Sequence, residues 1–183
     1  MRALLLTGLM FAAPAALGQD KKEDNLNITG NNRTAIIATE RQQKGMYDGA
    51  YNFAPAIRAG DFIFVSGAVA GAFGEDTPVG KVEFQTSIRR AFNQLDDILK
   101  AGNASLNDVV KIRTFHVFDS PHTTLTKHEQ IGAVAEVKNE FINEPHPAWT
   151  AVGSTALYPD KGLVEIEVVV YAPQKIVAQD MNQ

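Results

Sequence analysis

The 183-residue chain contains no cysteine. Disulfides, thiolate nucleophiles and cysteine-held metals are therefore excluded, and stability has to come from packing or self-association. Tryptophan is almost absent as well, Trp149 being the sole one. Positive charge is scarce: 17 lysines and arginines face 21 aspartates and glutamates, for a net charge of −4. The local basic groupings, Arg89-Arg90 and Lys111 with Arg113, are too thin and too little interleaved with aromatics for a nucleic-acid track. No nucleic-acid partner is expected. The chain also lacks a hydrophobic run of the ~20 residues that a membrane-spanning helix requires. Short-period repeats and low-complexity tracts are missing too. What remains is 45% hydrophobic residues, enough for one domain with a real core and hardly enough for two.

The longest apolar run lies at the start, in "MRALLLTGLMFAAPAALGQDKKED". A single arginine precedes the run from Ala3 to Ala13, small residues follow, and the chain then turns abruptly polar. This is the pattern of a secretory signal, with cleavage after Gly18 and Ala16 at the −3 position. Residues 1–18 are expected to be removed, leaving a soluble periplasmic or secreted protein with no membrane partner. Residues 19–33 are polar with little to bury and read as a flexible leader. Residues 34–175 read as the folded domain and 176–183 as a C-terminal tail.

Within the domain, "TAIIAT" (Thr34–Thr39) and "DFIFVSG" (Asp61–Gly67) read as strands, and the small-residue stretch after Gly67 as a loop. From Glu83 to Ala101, apolar residues recur at helical spacing through Phe84, Ile88, Phe92, Leu95 and Leu99. Gly102 then fits the position that ends a helix. "DVVKIRTFHVF" (Asp108–Phe118) reads as a strand and His122 to Phe141 as a second helix. "AWTAVGSTAL" and "GLVEIEVVVYA" finish the chain as strands, the second placing Glu165 and Glu167 on one face. The order β-β-α-β-α-β-β predicts an α+β fold with its helices on one face of a mixed sheet.

Chemistry-bearing residues are few. The four histidines, His116, His122, His128 and His146, have no metal-ligand spacing and read as solvated or capping residues. No metal is expected. Ser66 has no recognisable His/Asp companion, so it reads as a hydrogen-bonding residue rather than a nucleophile. Glu165 lies in an otherwise apolar strand, where an ionised carboxylate is costly unless paired. It is a candidate for a raised pKa and a general-base role, or else for pairing with Lys111 or Arg113.

The stretches "IRAGDFIFVSG", "NASLNDVVKIRTF", "EF…PHPAWTAVG" and "LVEIEVVVYA", in that order, resemble the RidA/YjgF (L-PSP endoribonuclease-like) family over residues 53–172. The resemblance implies a chorismate-mutase-like RidA fold, a homotrimer, and clefts between neighbouring subunits that hold a small molecule without a cofactor. Catalytic members hydrolyse reactive enamines and imines, gripping the substrate carboxylate with the arginine of a Pro-Ala-Arg-Ser/Thr stretch. Here Trp149 stands at that arginine in Pro147-Ala148-Trp149-Thr150. Phe53 falls where a tyrosine is frequent, Ala135 where an asparagine is typical, and Ala151 where a cysteine is frequent. Ser66 and the water-handling Glu165 are retained.

An indole has one N–H and no charge, so a bidentate, charge-assisted contact is lost, commonly on the order of 2–5 kcal/mol for a desolvated ion. The resemblance therefore implies a deaminase-like protein that is not a standard 2-iminoacid deaminase. Trp149 is expected either to wall an aromatic cleft for a ligand without a carboxylate, such as a cation, or to pack against the neighbouring subunit and plug that cleft. Two readings stay open. In one the cleft binds a small metabolite without chemistry, which export slightly favours. In the other it hydrolyses an enamine or imine that has no carboxylate.

Overall fold

The computed structural model describes residues 26–174. The signal-like segment, the first part of the leader and the tail at 176–183 lie outside the described residues. Asn31 and Asn32 have φ of 52° and 58°, the left-handed pair that a two-residue type I′ hairpin needs and asparagine tolerates. They join β1 (Ile28–Gly30) to β2 (Arg33–Ile36), with Gly30 opposite Arg33. The expectation of a structureless leader up to residue 33 is thereby corrected, since residues 28–33 form the outer hairpin of the sheet. Thr39 then caps a short helix α1 (Glu40–Gln42), which runs on into a π-helical turn, Gln43–Tyr47. The loop that follows carries Tyr51 and Phe53.

β3 (Ala56–Ala59) turns through Gly60, at φ 57°, into β4 (Phe62–Gly71). β4 is longer than expected, because Ala68, Val69, Ala70 and Gly71 continue the strand. Ala68 and Ala70 are buried and leave room for the helix packed above. That helix, α2 (Lys81–Ala101), turns its predicted apolar stripe inward, with Phe84, Ile88, Phe92, Leu95 and Leu99 fully buried. Burial of one such side chain contributes roughly 1.5–3 kcal/mol.

β5 (Val109–His116) leads to α3 (Lys127–Phe141). α3 starts later than expected. Thr126 accepts from the Glu129 backbone N–H, and the Glu129 carboxylate accepts from the Thr126 N–H at 2.8 Å. This reciprocal cap satisfies two otherwise orphaned donors. Thr126→Ala should lower unfolding free energy by about 1 kcal/mol, while Thr126→Ser should retain most of it, as measured by urea denaturation.

β6 (Ala148–Gly153) and β7 (Gly162–Tyr171) complete a seven-stranded sheet in the order β1-β2-β3-β4-β7-β5-β6. The β5/β6 pair is parallel and the other pairs antiparallel. Both long helices cover one face, as expected for this α+β class. On the exposed helix surfaces, Arg89 makes a two-pronged pair with Glu140 at 2.6 and 2.7 Å, and Lys81 meets Glu136 at 2.7 Å. One arginine of the Arg89-Arg90 grouping is thus committed to joining α2 and α3.

Arg58 is buried on the helix side and donates at 2.7 Å to the carbonyls of both Ala172 and Gly102. Its charge lies at the C-terminus of α2, where a cation is favoured. The opposite face carries no helix. It presents Phe62, Phe64, Lys111, Arg113, Glu167 and Tyr171, all more or less exposed.

Candidate functional site

The site begins with an irregularity in β4. Val65 lies opposite Val168 and Ala68 opposite Ile166, so β4 takes three residues where β7 takes two. The extra residue falls at Ser66-Gly67. Such a bulge bends the strand and re-aims its side chains. Ala68 and Ala70 remain toward the helices, while Ser66 and Gly67 meet the helix-free face. The Ser66 N–H donates to the Pro55 carbonyl, and its hydroxyl donates to the Ala54 carbonyl, each at 2.8 Å. The Ser66 proton is thus committed to Ala54, and an acceptor lone pair is what the hydroxyl offers.

Next to the bulge is a mainly apolar concavity of about 350 Å³, lined by Met46, Tyr51, Phe53, Ser66, Gly67, Val69, Tyr158, Pro159 and Glu165. β7 delivers Glu165, which lies between Val69 of β4 and Phe115 of β5. Its carboxyl is half-buried, with no hydrogen bond or ion pair among the described residues. Burial, and secondarily the neighbouring Glu167 charge, raise its pKa above the usual carboxylate range. The expected alternative, a pair with Arg113, belongs to Glu167 instead, at 3.3 Å. The close approach of Glu165 to the chain depends on Gly67. A Cβ there would overlap the Glu165 Cγ, Cδ and Oε1.

The structure brings Phe53, Ser66 and Glu165 together as the sequence suggests, but it separates Trp149 and Ala151 from them. β6 is the edge strand, and Trp149 lies beside the core residue Ile112 in register. The indole therefore turns to the helix side, packs against the core and donates from Nε1 to Thr114 Oγ1 at 3.0 Å. Ala151 follows on the same face of β6, and Ala135 lies on α3. Within one chain, the aromatic residues beside Glu165 are Tyr51, Phe53 and Tyr158. The Tyr51 and Tyr158 hydroxyls are 3.1 Å apart, with their rings edge to face at 5.8 Å.

Tyr51, Tyr158 and Gly67 were not singled out from the sequence. Tyr51 sits in "MYDGAYNF", where two tyrosines and a phenylalanine flank turn residues, and that density of aromatics in a loop was the available signal. Among the described residues, no group of three or more His, Asp or Glu side chains is placed to hold a metal ion. His116 corrects the expectation of solvated histidines. It is fully buried at the end of β5, with Nε2 at 2.9 Å from Thr114 Oγ1.

Comparison with known proteins places this geometry in company. The family described as Endoribonuclease L-PSP matches residues 46–172. The RutC family protein YjgH of Escherichia coli K12 is 33% identical over 144 residues, covering 78% of this chain and 98% of that protein. A solved structure of protein YjgH has a TM-score of 0.60, covering 79% of this chain and 99% of the other. RidA from an Antarctic Psychrobacter is 27% identical with a TM-score of 0.52, covering 67% of this chain and 90% of its own. A 2-iminobutanoate/2-iminopropanoate deaminase of Dermatophagoides farinae is 25% identical over 118 residues, covering 64% of this chain and 84% of that protein.

Proposed function

This chain belongs to the Endoribonuclease L-PSP family, that of the RidA and YjgF proteins, and from that premise we propose that it is a hydrolytic imine or enamine deaminase whose substrate carries no carboxylate. The observation that carries this is Glu165: a carboxyl with no partner among the described residues and a raised pKa, held in a mainly apolar pocket. Such a group is suited to act as a general base at neutral pH. As a carboxylate it takes a proton from water while the water oxygen bonds to the imine carbon. Glu165 returns that proton to nitrogen to give the carbinolamine, then carries the hydroxyl proton to nitrogen as the C–N bond breaks, and a carbonyl compound and ammonia leave.

The deaminase from Dermatophagoides farinae is named for 2-imino acids. Selectivity here is proposed to differ, because the pocket lining contains no lysine or arginine and the indole at position 149 is engaged with Thr114. An unpaired carboxylate ligand would lose hydration without gaining a charged partner. Glu165 and Glu167 on the same face also oppose a phosphate backbone.

The working unit is proposed to be a homotrimer with clefts between subunits. Support comes from the helix-free face, where Phe62, Phe64 and Tyr171 are exposed, and from the exposed edge strand β6. Single domains seldom leave such apolar surface and strand edges uncovered. Export is proposed from the apolar run Ala3 to Ala13 and the small residues after it.

The test compares ketimines without a carboxylate against 2-imino acids, both generated in situ, by the rate of carbonyl release. Carboxylate-free ketimines should show a kcat/KM larger by about tenfold or more, the scale of one missing charge contact. Preference for 2-imino acids would refute the selectivity. Tight binding of ketimine analogues without turnover of either class would favour a metabolite-binding protein.

A further inference from the structure

We propose that the Glu165 pocket recognises its ligand as a small organic cation, a protonated imine or an ammonium ion, seated against the Tyr51–Tyr158 pair and the Glu165 carboxylate. This deepens the hydrolase reading above and rests on it for the identity of the pocket. The rings of Tyr51 and Tyr158 meet edge to face at 79°, and both line the pocket. Aromatic faces carry negative electrostatic potential and attract cations.

Both rings are held out in solvent, at 69% and 83% exposure, and nothing among the described residues covers them. A joined pair of exposed tyrosines that also lines a mainly apolar pocket suits a ligand with both apolar and charged character. Phe53 adds a third ring, and Met46 a polarisable thioether. The same pocket holds the Glu165 carboxylate, without a cationic partner among the described residues. The nearby guanidinium of Arg113 is already paired with Glu167. Aromatic walls, one unpaired carboxylate and no basic residue form the recognition set for an ammonium or iminium group, and they disfavour an anion. An iminium ion is also the form of an imine most open to attack by water.

The full chain would be titrated by calorimetry with benzylammonium, tetramethylammonium, benzyl alcohol and benzoate. The two cations should bind, with benzylammonium about tenfold or more tighter than its neutral isostere and benzoate weakest. Glu165→Gln should weaken benzylammonium by about tenfold, and Tyr158→Ala by about threefold to thirtyfold. Tyr158 is exposed, and thermal unfolding of each variant would verify its fold.

Benzoate binding as tightly as benzylammonium would overturn the proposal. So would cation binding that is unchanged in both variants. Ketimine hydrolysis without cation affinity would leave the hydrolase standing and refute the cation site. Cation binding that depends on Glu165 and Tyr158, with no hydrolysis, would do the reverse.

Discussion

Gly67→Ala should abolish most turnover while leaving the protein folded. A Cβ at this position overlaps the Glu165 carboxyl and its Cγ. The backbone of Gly67 is not in the left-handed region, so alanine imposes no strain of its own on the chain. The obstacle it meets is a side chain that can rotate away. The fold thus has a cheap response and the site does not, because the rotation removes the base from the pocket. Misplacement of a reacting group by about 1 Å can cost on the order of 10²-fold in rate, and loss of a general base costs about 10²–10⁴-fold.

The kcat/KM of Gly67→Ala on a carboxylate-free ketimine should therefore fall about as far as that of Glu165→Gln. The double variant should be little worse than either, since both remove the same group. Thermal unfolding should shift by only a few degrees, about the effect of 1 kcal/mol or less in a domain of this size. A fully active Gly67→Ala would mean that Glu165 is not needed where the structure holds it, and the hydrolase reading would lose its base.

Gly67 also shows why the site was harder to read than the fold. The apolar stripe of α2 and the apolar run of β7 are periodic over long spans, and periodicity is what packing requires of them. The α+β layout followed directly. A bulge breaks that periodicity by one residue. "SGAVAG" therefore looked like a small-residue loop, although Ala68 and Ala70 continue β4 beneath α2. The start of α3 was legible and was missed, since Thr126-Lys127-His128-Glu129 spells a capping box. The β1–β2 hairpin lay in a polar segment whose one strong signal was Asn31-Asn32.

For the site, the period of two correctly put Glu165 and Glu167 on one face. It carries no information about which face of an edge strand meets the helices. Trp149 is turned inward by its register against Ile112 and by the hydroxyl of Thr114, contacts made across some 35 residues of sequence. The same applies to His116, whose burial comes from where α3 lands.

Stability should fall as pH drops from about 6.5 to about 4, and His116 should account for most of the slope in that window. Its surroundings exclude water. Trp149 donates to Thr114 Oγ1, and His116 Nε2 lies 2.9 Å from the same hydroxyl oxygen. Burial keeps the imidazole neutral. Phe118 stacks on the ring at 5.0 Å and 11°, further excluding water.

Protonation would place a charge where 0% of the residue is exposed. Burial accordingly pushes the His116 pKa down to about 4, only partly offset by the Gln130 side chain. The offset is partial because His116 Nδ1 and Gln130 Oε1 are both buried without a well-formed hydrogen bond.

The unfolded chain binds this proton near pH 6.5 and the folded chain only near 4. Between those values the unfolded state holds more protons, so stability is complete above the window and declines as pH falls through it. The loss should reach about 2–3 kcal/mol, or about 5–10 °C in the thermal midpoint for a domain of this size. Glu165 works in the opposite sense. Its raised pKa favours the protonated folded form, so its contribution is present at low pH and lost as pH rises through its titration. Comparing wild type with His116→Gln at a fixed protein concentration cancels that contribution. The variant should start less stable at pH 7 and show a much flatter profile down to pH 4. Parallel profiles would mean that the ring takes up its proton in the folded state as readily as in water, and burial would not be holding it neutral.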